Sequence, residues 1–336
     1  MSSGDSIANT DSEFDSVTII SDRNGDQQPE VIANGHEGKA IVISSPFVGA
    51  LIADVELLGP TPNDAVKGAF IPDLTGNSEP YFALLSEDED AVYLDSDQGQ
   101  ASIDFENSPT QTKYWSNNLS NGQIFHFGDL NGDGIADLIV STPDQGSGAV
   151  RLIEGGQLSS SPMSNLSAWE GENGGSQAGF AVLDAGDWDG DGHHDLWISA
   201  PQGGSQSQGR VYLASGNAFG DLGLSNVIVE GTFPNQNFGH SMTLADTDGD
   251  GQTELNICAP DWITRGRCAH FFQLNTGITQ VDAADFYAEG GTTNQYLGAA
   301  ATHTEASFDS LWFSAPLASE TSNQQGLIFR FEGLGF

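Results

Sequence analysis

The sequence predicts an all-β chain built from about six copies of one four-stranded antiparallel sheet. Three observations carry the prediction. An acidic-loop motif recurs every 51 to 59 residues, short β-branched or aromatic segments surround each copy, and no sustained helical period occurs anywhere.

The clearest copies are DLNGDGIADLIVSTP from Asp129, DWDGDGHHDLWISAP from Asp187 and DTDGDGQTELNICAP from Asp246, whose starts lie 58 and 59 residues apart. Each is followed by a Gly-led apolar segment: GAVRLIEGG, GRVYLASG and GRCAHFFQL. Weaker copies start at Asp22, Asp73 and about Thr302. The repeats themselves begin near residues 14, 67, 123, 178, 237 and 296. In the fourth, AGFAVLDAGD, DLWISAP, GRVYLASG and SNVIVEG read as four strands bounded by turn residues.

A four-stranded sheet repeated around an axis is a propeller blade. The whole chain, 1–336, is therefore expected to be a single β-propeller domain, with six blades favoured over seven. The sixth unit ends at GLIFRFEGLGF and lacks a fourth strand. A segment at about residues 5–11 is expected to supply it and close the ring, since proteins avoid open sheet edges.

Nine Lys and Arg against 47 Asp and Glu give a formal charge of -38. Such a surface repels nucleic acid and anionic membrane and attracts cations. No apolar run approaches the ~20 residues of a spanning helix, so no membrane insertion is expected, and a monomer is. The start, MSSGDSIANTDSEF, has neither a basic head nor an apolar stretch, so no signal peptide is expected in this chain. Cys258 and Cys268 flank a turn-like stretch and read either as two small buried residues or as a cross-strand disulfide.

The loop from Asp129 places oxygen donors at positions 1, 3, 5 and 9: Asp129, Asn131, Asp133 and Asp137. The Ile135 carbonyl can add a donor at position 7. Alternation lets the first three converge, and the glycines at positions 4 and 6 permit the sharp turn. Such a hard all-oxygen cage suits Ca²⁺ better than Mg²⁺. The same set recurs as Asp187, Asp189, Asp191 and Asp195 with His193 at position 7, and as Asp246, Asp248, Asp250 and Glu254 with Gln252 there. A weaker fourth set is Asp22, Asn24, Asp26 and Glu30 with Gln28. Three Ca²⁺ sites are expected in the strong loops and a fourth at Asp22. The loop at Asp73 has Tyr81 at position 9, and the one at Thr302 is expected to be metal-free. An EF-hand would need Glu at position 12, where Val140, Ile198 and Ile257 stand instead.

A Phe-Gly pair, the acidic loop and a strand ending Ala-Pro occur together as Phe238-Gly239, the loop at Asp246 and Ala259-Pro260. Ala200-Pro201 and Ala315-Pro316 repeat the ending, with Thr142-Pro143 as a variant. The pattern resembles the FG-GAP repeat of integrin α-subunit propellers and their bacterial relatives. The resemblance implies a propeller with calcium in the turn between the first two strands of a blade.

A loop that cages its ion makes the metal structural. No HExxH, GxSxG or phosphate-binding glycine loop is present. The chain is therefore expected to be a calcium-stabilised extracellular or cell-surface binding or adhesion module, not an enzyme. The face opposite the metal turns would meet a protein or glycan partner through Trp262, Arg265, Arg267 and Phe233, with Asp144, Gln202 and Thr292 beside them. The alternatives are a propeller hydrolase or lyase with a channel-lining site, or a ligand-free spacer of a larger exported protein.

Overall fold

The computed structural model describes residues 14–45, 53–156, 158–291, 295–304, 310–316 and 327–331. The apolar runs YFALLS, DLIVS, DLWISA and ELNICA become second strands, buried along nearly their whole length. A strand covered on both faces needs such a continuous run rather than alternation.

The first unit contains β1 (Phe14–Ile20), β2 (Glu30–Gly35), β3 (Lys39–Ile43) and β4 (Val55–Leu58). The second contains β5 (Val66–Ile71), β6 (Tyr81–Ser86), β7 (Ala91–Ser96), β8 (Ser102–Asp104) and β9 (Thr112–Trp115). The third contains β10 (Gln123–Gly128), β11 (Asp137–Ser141), β12 (Ala149–Ile153), β13 (Ser161–Pro162) and β14 (Ala168–Glu170). The fourth contains β15 (Val182–Gly186), β16 (Asp195–Ala200), β17 (Arg210–Ala214), β18 (Gly220–Asp221) and β19 (Val227–Glu230). The fifth contains β20 (Ser241–Ala245), β21 (Glu254–Ala259), β22 (Arg267–Phe271), β23 (Gly277–Gln280) and β24 (Phe286–Glu289). The sixth contains β25 (Ala301–Thr304), β26 (Ser310–Ala315) and β27 (Leu327–Phe331).

Antiparallel order runs β1–β2–β3–β4, β5–β6–β7–β9, β15–β16–β17–β19, β20–β21–β22–β24 and β25–β26–β27, and β10 pairs with β11. The chain is thus all-β, and the four-stranded unit read from the sequence is present. The expected closing segment at 5–11 lies outside the described residues. No helix among the described residues is long and apolar enough to cross a membrane.

Units two to five carry a fifth strand beyond the four expected. β8, β13, β18 and β23 each lie between the third and fourth strands of their own unit. Each pairs in parallel with the outer strand of the preceding unit: β4, β9, β14 and β19 respectively. The residue after each short strand is a buried apolar plug: Phe105, Met163, Leu222 or Val281. Main-chain pairing and a core contact thus join successive units at the same place.

The chain divides into two compact bodies, residues 1–141 with 151–167, and residues 142–150 with 168–336. The first has one core around Ile32, Leu57, Phe82 and Phe105 and another around Leu74, Leu85, Val140 and Met163. The second has one around Trp197, Val211, Phe238 and Ile257, and another around the Cys258–Cys268 disulfide.

In this second body the Phe-Gly motif acquires a physical reason. Phe238 is buried, and Gly239 adopts φ +90° while donating its N–H to the Cys258 carbonyl at 3.0 Å. The glycine that opens a third strand packs onto the pair that opens the next unit. A Cβ on Gly209 would lie 2.4 Å from the Phe238 carbonyl oxygen, and one on Gly266 2.2 Å from the Leu297 nitrogen. Both sites also have positive φ, so glycine is required twice over.

Candidate metal centres

The acidic loops join the first and second strands of their units. All five fully described loops share one backbone shape. Position 4 is left-handed at Gly25, Gly76, Gly132, Gly190 and Gly249. Position 6 is left-handed at Gly134, Gly192 and Gly251, and also at Gln27 and Ser78, where the sequence offers no glycine.

The side chains build this shape through their own backbone. Asp129 Oδ1 accepts from Gly132 N at 2.7 Å and its Oδ2 from Gly134 N at 2.7 Å. Asp22 does the same with Gly25 N at 2.7 Å and Gln27 N at 2.8 Å. Asp246 does so with Gly249 N at 2.6 Å and Gly251 N at 3.0 Å. At position 3, Asn24, Asn131, Asp189 and Asp248 each accept from the position-5 N–H at 2.9 to 3.1 Å. At position 5, Asp26, Asp133, Asp191 and Asp250 accept from the N–H of Gln28, Ile135, His193 and Gln252.

Convergence differs from loop to loop. Asp246, Asp248, Asp250 and Glu254 bring one oxygen each within 4.8 Å of one another. Asp22, Asp26 and Glu30 do so as well, and so do Asp187, Asp189 and Asp195. Asp191 is absent from that trio, and its Oδ2 accepts from Asn217 Nδ2 at 2.8 Å. The carboxylates of the Asp129 loop form no such group among the described residues. Asp137 there is held by Leu130 N on Oδ2 and by Gly155 N, at 2.9 Å, on Oδ1.

These residues fit a hard cation on two grounds. Glu30 Oε1 and Asp195 Oδ1 are buried oxygens without a hydrogen-bond partner in the structure. A buried carboxylate oxygen left unpaired is costly unless something positive satisfies it. Burial pushes the Asp195 carboxyl above its ordinary range, and the neighbouring Asp189 and Asp191 charges add to this. Burial also raises Glu254, with Asp248 and Asp246 adding to it. Burial raises Asp137 despite hydrogen bonds from Gly155, Leu130 and Asn131. The acidic clusters can therefore hold a metal ion, which would relieve both the desolvation and the repulsion.

Glu254 also belongs to a buried chain of polar contacts. Its Oε2 accepts from Thr247 N and Thr247 Oγ1, both at 2.7 Å. His270 Nε2 lies 3.2 Å from Thr247 Oγ1, and His270 Nδ1 lies 2.7 Å from Asn256 Oδ1. The ring stacks on Phe286 with centroids 4.1 Å apart, and burial lowers its pKa to about 4.

The residues expected to meet a partner differ in exposure. Arg267 is held inside its unit: its guanidinium lies 3.8 Å from the Trp262 ring centroid and 4.2 Å from that of Tyr287, and it pairs with Glu289. Trp262 packs against the core beneath. Arg265 and Phe233 are exposed, and Thr292 lies outside the described residues. Other cations are also engaged internally, among them Arg23 with Asp97, Lys39 with Glu56, Lys67 with Glu87 and Arg210 with Glu172 and Glu230. Much of the scarce positive charge is thus engaged in ion pairs within the fold.

The cysteines form a disulfide between the paired strands β21 and β22, which resolves the alternative left open by the sequence. A Cβ on Gly298 would lie 2.5 Å from Cys258 Cβ, so the bridge occupies the space that glycine leaves.

A family model for the FG-GAP-like repeat matches residues 129–198, covering the Asp129 and Asp187 loops. The chain is 34% identical to integrin alpha-V of Gallus gallus over 145 residues, which is 39% of this chain and 14% of that protein. It is 28% identical to integrin alpha-PS2 of Drosophila melanogaster over 150 residues, 39% of this chain and 11% of that protein. It is 33% identical to phosphatidylinositol-glycan-specific phospholipase D of Mus musculus over 155 residues, 41% of this chain and 18% of that protein. The matched segments are therefore small parts of these relatives. Among solved structures, BBS1N in complex with ARL6DN superposes with a TM-score of 0.52 at 9% identity, over 94% of this chain and 78% of that one. That likeness concerns the fold alone. Together the matches show a likeness to FG-GAP repeats at residues 129–198 and to integrin and phospholipase D segments over about 40% of the chain.

Proposed function

We propose that the chain is a calcium-stabilised, extracellular binding module that has no catalytic activity. The observation that carries this reading is the gathering of carboxylates in the loops at Asp22, Asp187 and Asp246, two of them with a buried unpaired oxygen. Calcium suits them because the donors are all oxygen and Ca²⁺ accepts six to eight oxygens in varied geometry. The Asp129 loop, one of the three strong loops of the sequence, is included as a site on its donor pattern alone, because its carboxylates form no such group among the described residues. Each ion staples the first hairpin of its unit. By mass action, a site held at about 100 times its dissociation constant adds ~2.7 kcal/mol to the folded state. The disulfide and the calcium requirement both favour an oxidising, calcium-rich medium outside the cell.

The ligand is a protein or a glycan. Exposed Phe233 and Arg265 are the remaining candidates on the face opposite the metal turns, and Arg267 supports that face from within. A second reading, a hydrolase, draws on the similarity to a phospholipase D, but that match spans only 18% of the enzyme. Screening the chain in calcium on glycan and protein arrays, beside a panel of ester and glycoside substrates, separates the two. Retention of a ligand without turnover is expected. Turnover abolished by a substitution in this chain would replace the reading with the enzymatic one.

A further inference from the structure

The fourth unit carries a cavity of about 440 Å³ beside its metal loop. That size lies within the range of about 300–1,000 Å³ typical of small-molecule sites. Its walls include Trp169, Trp188, Phe219 and Leu224, and two of the clustered carboxylates, Asp189 and Asp195. The aromatic wall is fixed by its neighbours. Phe219 packs on Trp169 with centroids 4.7 Å apart, and Trp188 meets Trp197 edge-on at 5.2 Å. Trp169 Nε1 donates to the Ser215 carbonyl at 3.0 Å, so its polar end is already satisfied. Yet Phe219 remains 40% and Leu224 82% exposed, which leaves apolar surface in water at the mouth. Asp195 lines both sites: it is 1% exposed, and its unpaired Oδ1 is the oxygen that the calcium reading gives to the ion, so the aromatic wall and the exposed apolar mouth carry the cavity's own case.

We propose that this cavity binds a neutral saccharide. A sugar ring offers an apolar C–H face to aromatic rings and a rim of hydroxyls to carboxylates and amides, which matches the two kinds of wall. An anion is disfavoured by Asp189, Asp195 and Asp221 around the cavity and by the net charge of -38. An organic cation would have to compete with the divalent ion for Asp189 and Asp195, since both belong to the metal cluster. The shared residues also couple the two sites. Asp191 holds Asn217 at 2.8 Å, and so positions the turn that carries Ser215 and Phe219. Occupancy of the metal loop would fix Asp189 and Asp195, and so one wall of the cavity. The coupling rests on the calcium reading above, whereas the aromatic wall does not.

The test is a calorimetric and tryptophan-fluorescence titration of the full chain with the methyl glycosides of glucose, galactose, mannose and fucose, and with tetramethylammonium. Each titration is run in calcium and in chelator, and calcium melts are recorded in parallel. Saturable binding of at least one glycoside near ~1 mM is expected in calcium, as for a small pocket with few hydrogen bonds. It should weaken at least about tenfold in chelator. Phe219→Ala and the mouth-blocking Leu224→Arg should each weaken it by a similar factor with an unchanged calcium melt, because both side chains are exposed. Absence of saturable glycoside binding while the calcium-induced melt shift persists would overturn the pocket and leave the proposed function standing. Tetramethylammonium binding in competition with calcium would overturn the saccharide assignment. Glycoside binding without any calcium shift would support the pocket and sink the metal reading.

Discussion

The third and fifth units carry the same acidic motif, yet their ninth-position carboxylates are used differently. In the fifth, Glu254 joins Asp246, Asp248 and Asp250 in one cluster and anchors its other side through Thr247 to His270. In the third, Asp137 is one methylene shorter and both its oxygens are held by backbone N–H groups, including Gly155 eighteen residues away. A motif thus specifies the loop, whereas the reach of one side chain and one distant N–H decide how far the charges gather. The fifth unit, with more buried like charge and a disulfide, should depend more on metal, pH and redox state than the third.

The largest expected effect is an acid sensitivity centred on His270 of the fifth unit. Burial depresses the His270 pKa to about 4, below its ordinary value of 6.5. A depressed value means the unfolded chain binds the proton more readily. The stability is therefore complete above pH 6.5 and is lost as pH falls towards 4, by about 3 kcal/mol. Denaturant melts of the native chain and of His270→Gln across that window should differ by this slope, and parallel pH profiles would break the assignment.

Metal dependence comes next. Glu254→Gln should remove up to ~2.7 kcal/mol of calcium-dependent stability, the worth of one well-filled site, while Asp137→Asn removes less. In chelator the sign reverses for Asp248→Asn, which should stabilise the chain slightly by relieving repulsion in the cluster. Equal calcium shifts for the Glu254 and Asp137 variants would end the distinction between the units. Replacing both Cys258 and Cys268 by Ser should cost about 2.5 kcal/mol for so short a closed loop, measurable as a lower denaturant midpoint that reductant no longer changes. The smallest effect tests the shared loop shape. Gln27 and Ser78 occupy the left-handed position-6 site, so Gln27→Gly and Ser78→Gly should each stabilise by about 0.5–1 kcal/mol.

Much of this fold can be read from the residues, because period and burial leave local marks. DLWISA and ELNICA show as fully buried strands, and Asp187 and Asp246 show as first members of an acidic loop whose carboxylates gather. The short parallel strands were not legible, since Ser161–Pro162 and Gly220–Asp221 are too brief to carry a period. A weak signal existed in the single apolar residue after each, Met163 and Leu222, at the same place in successive repeats. Nor could the sequence show that Gly155 N would claim Asp137, or that Arg267 would be enclosed by Trp262 and Tyr287, because both depend on packing between distant segments.

Calorimetric melting in millimolar calcium and in excess chelator tests the central claim most directly. Several filled sites at ~2.7 kcal/mol each should raise the midpoint by more than about ten degrees for a chain of this size. Superimposable melts in the two buffers would contradict the account.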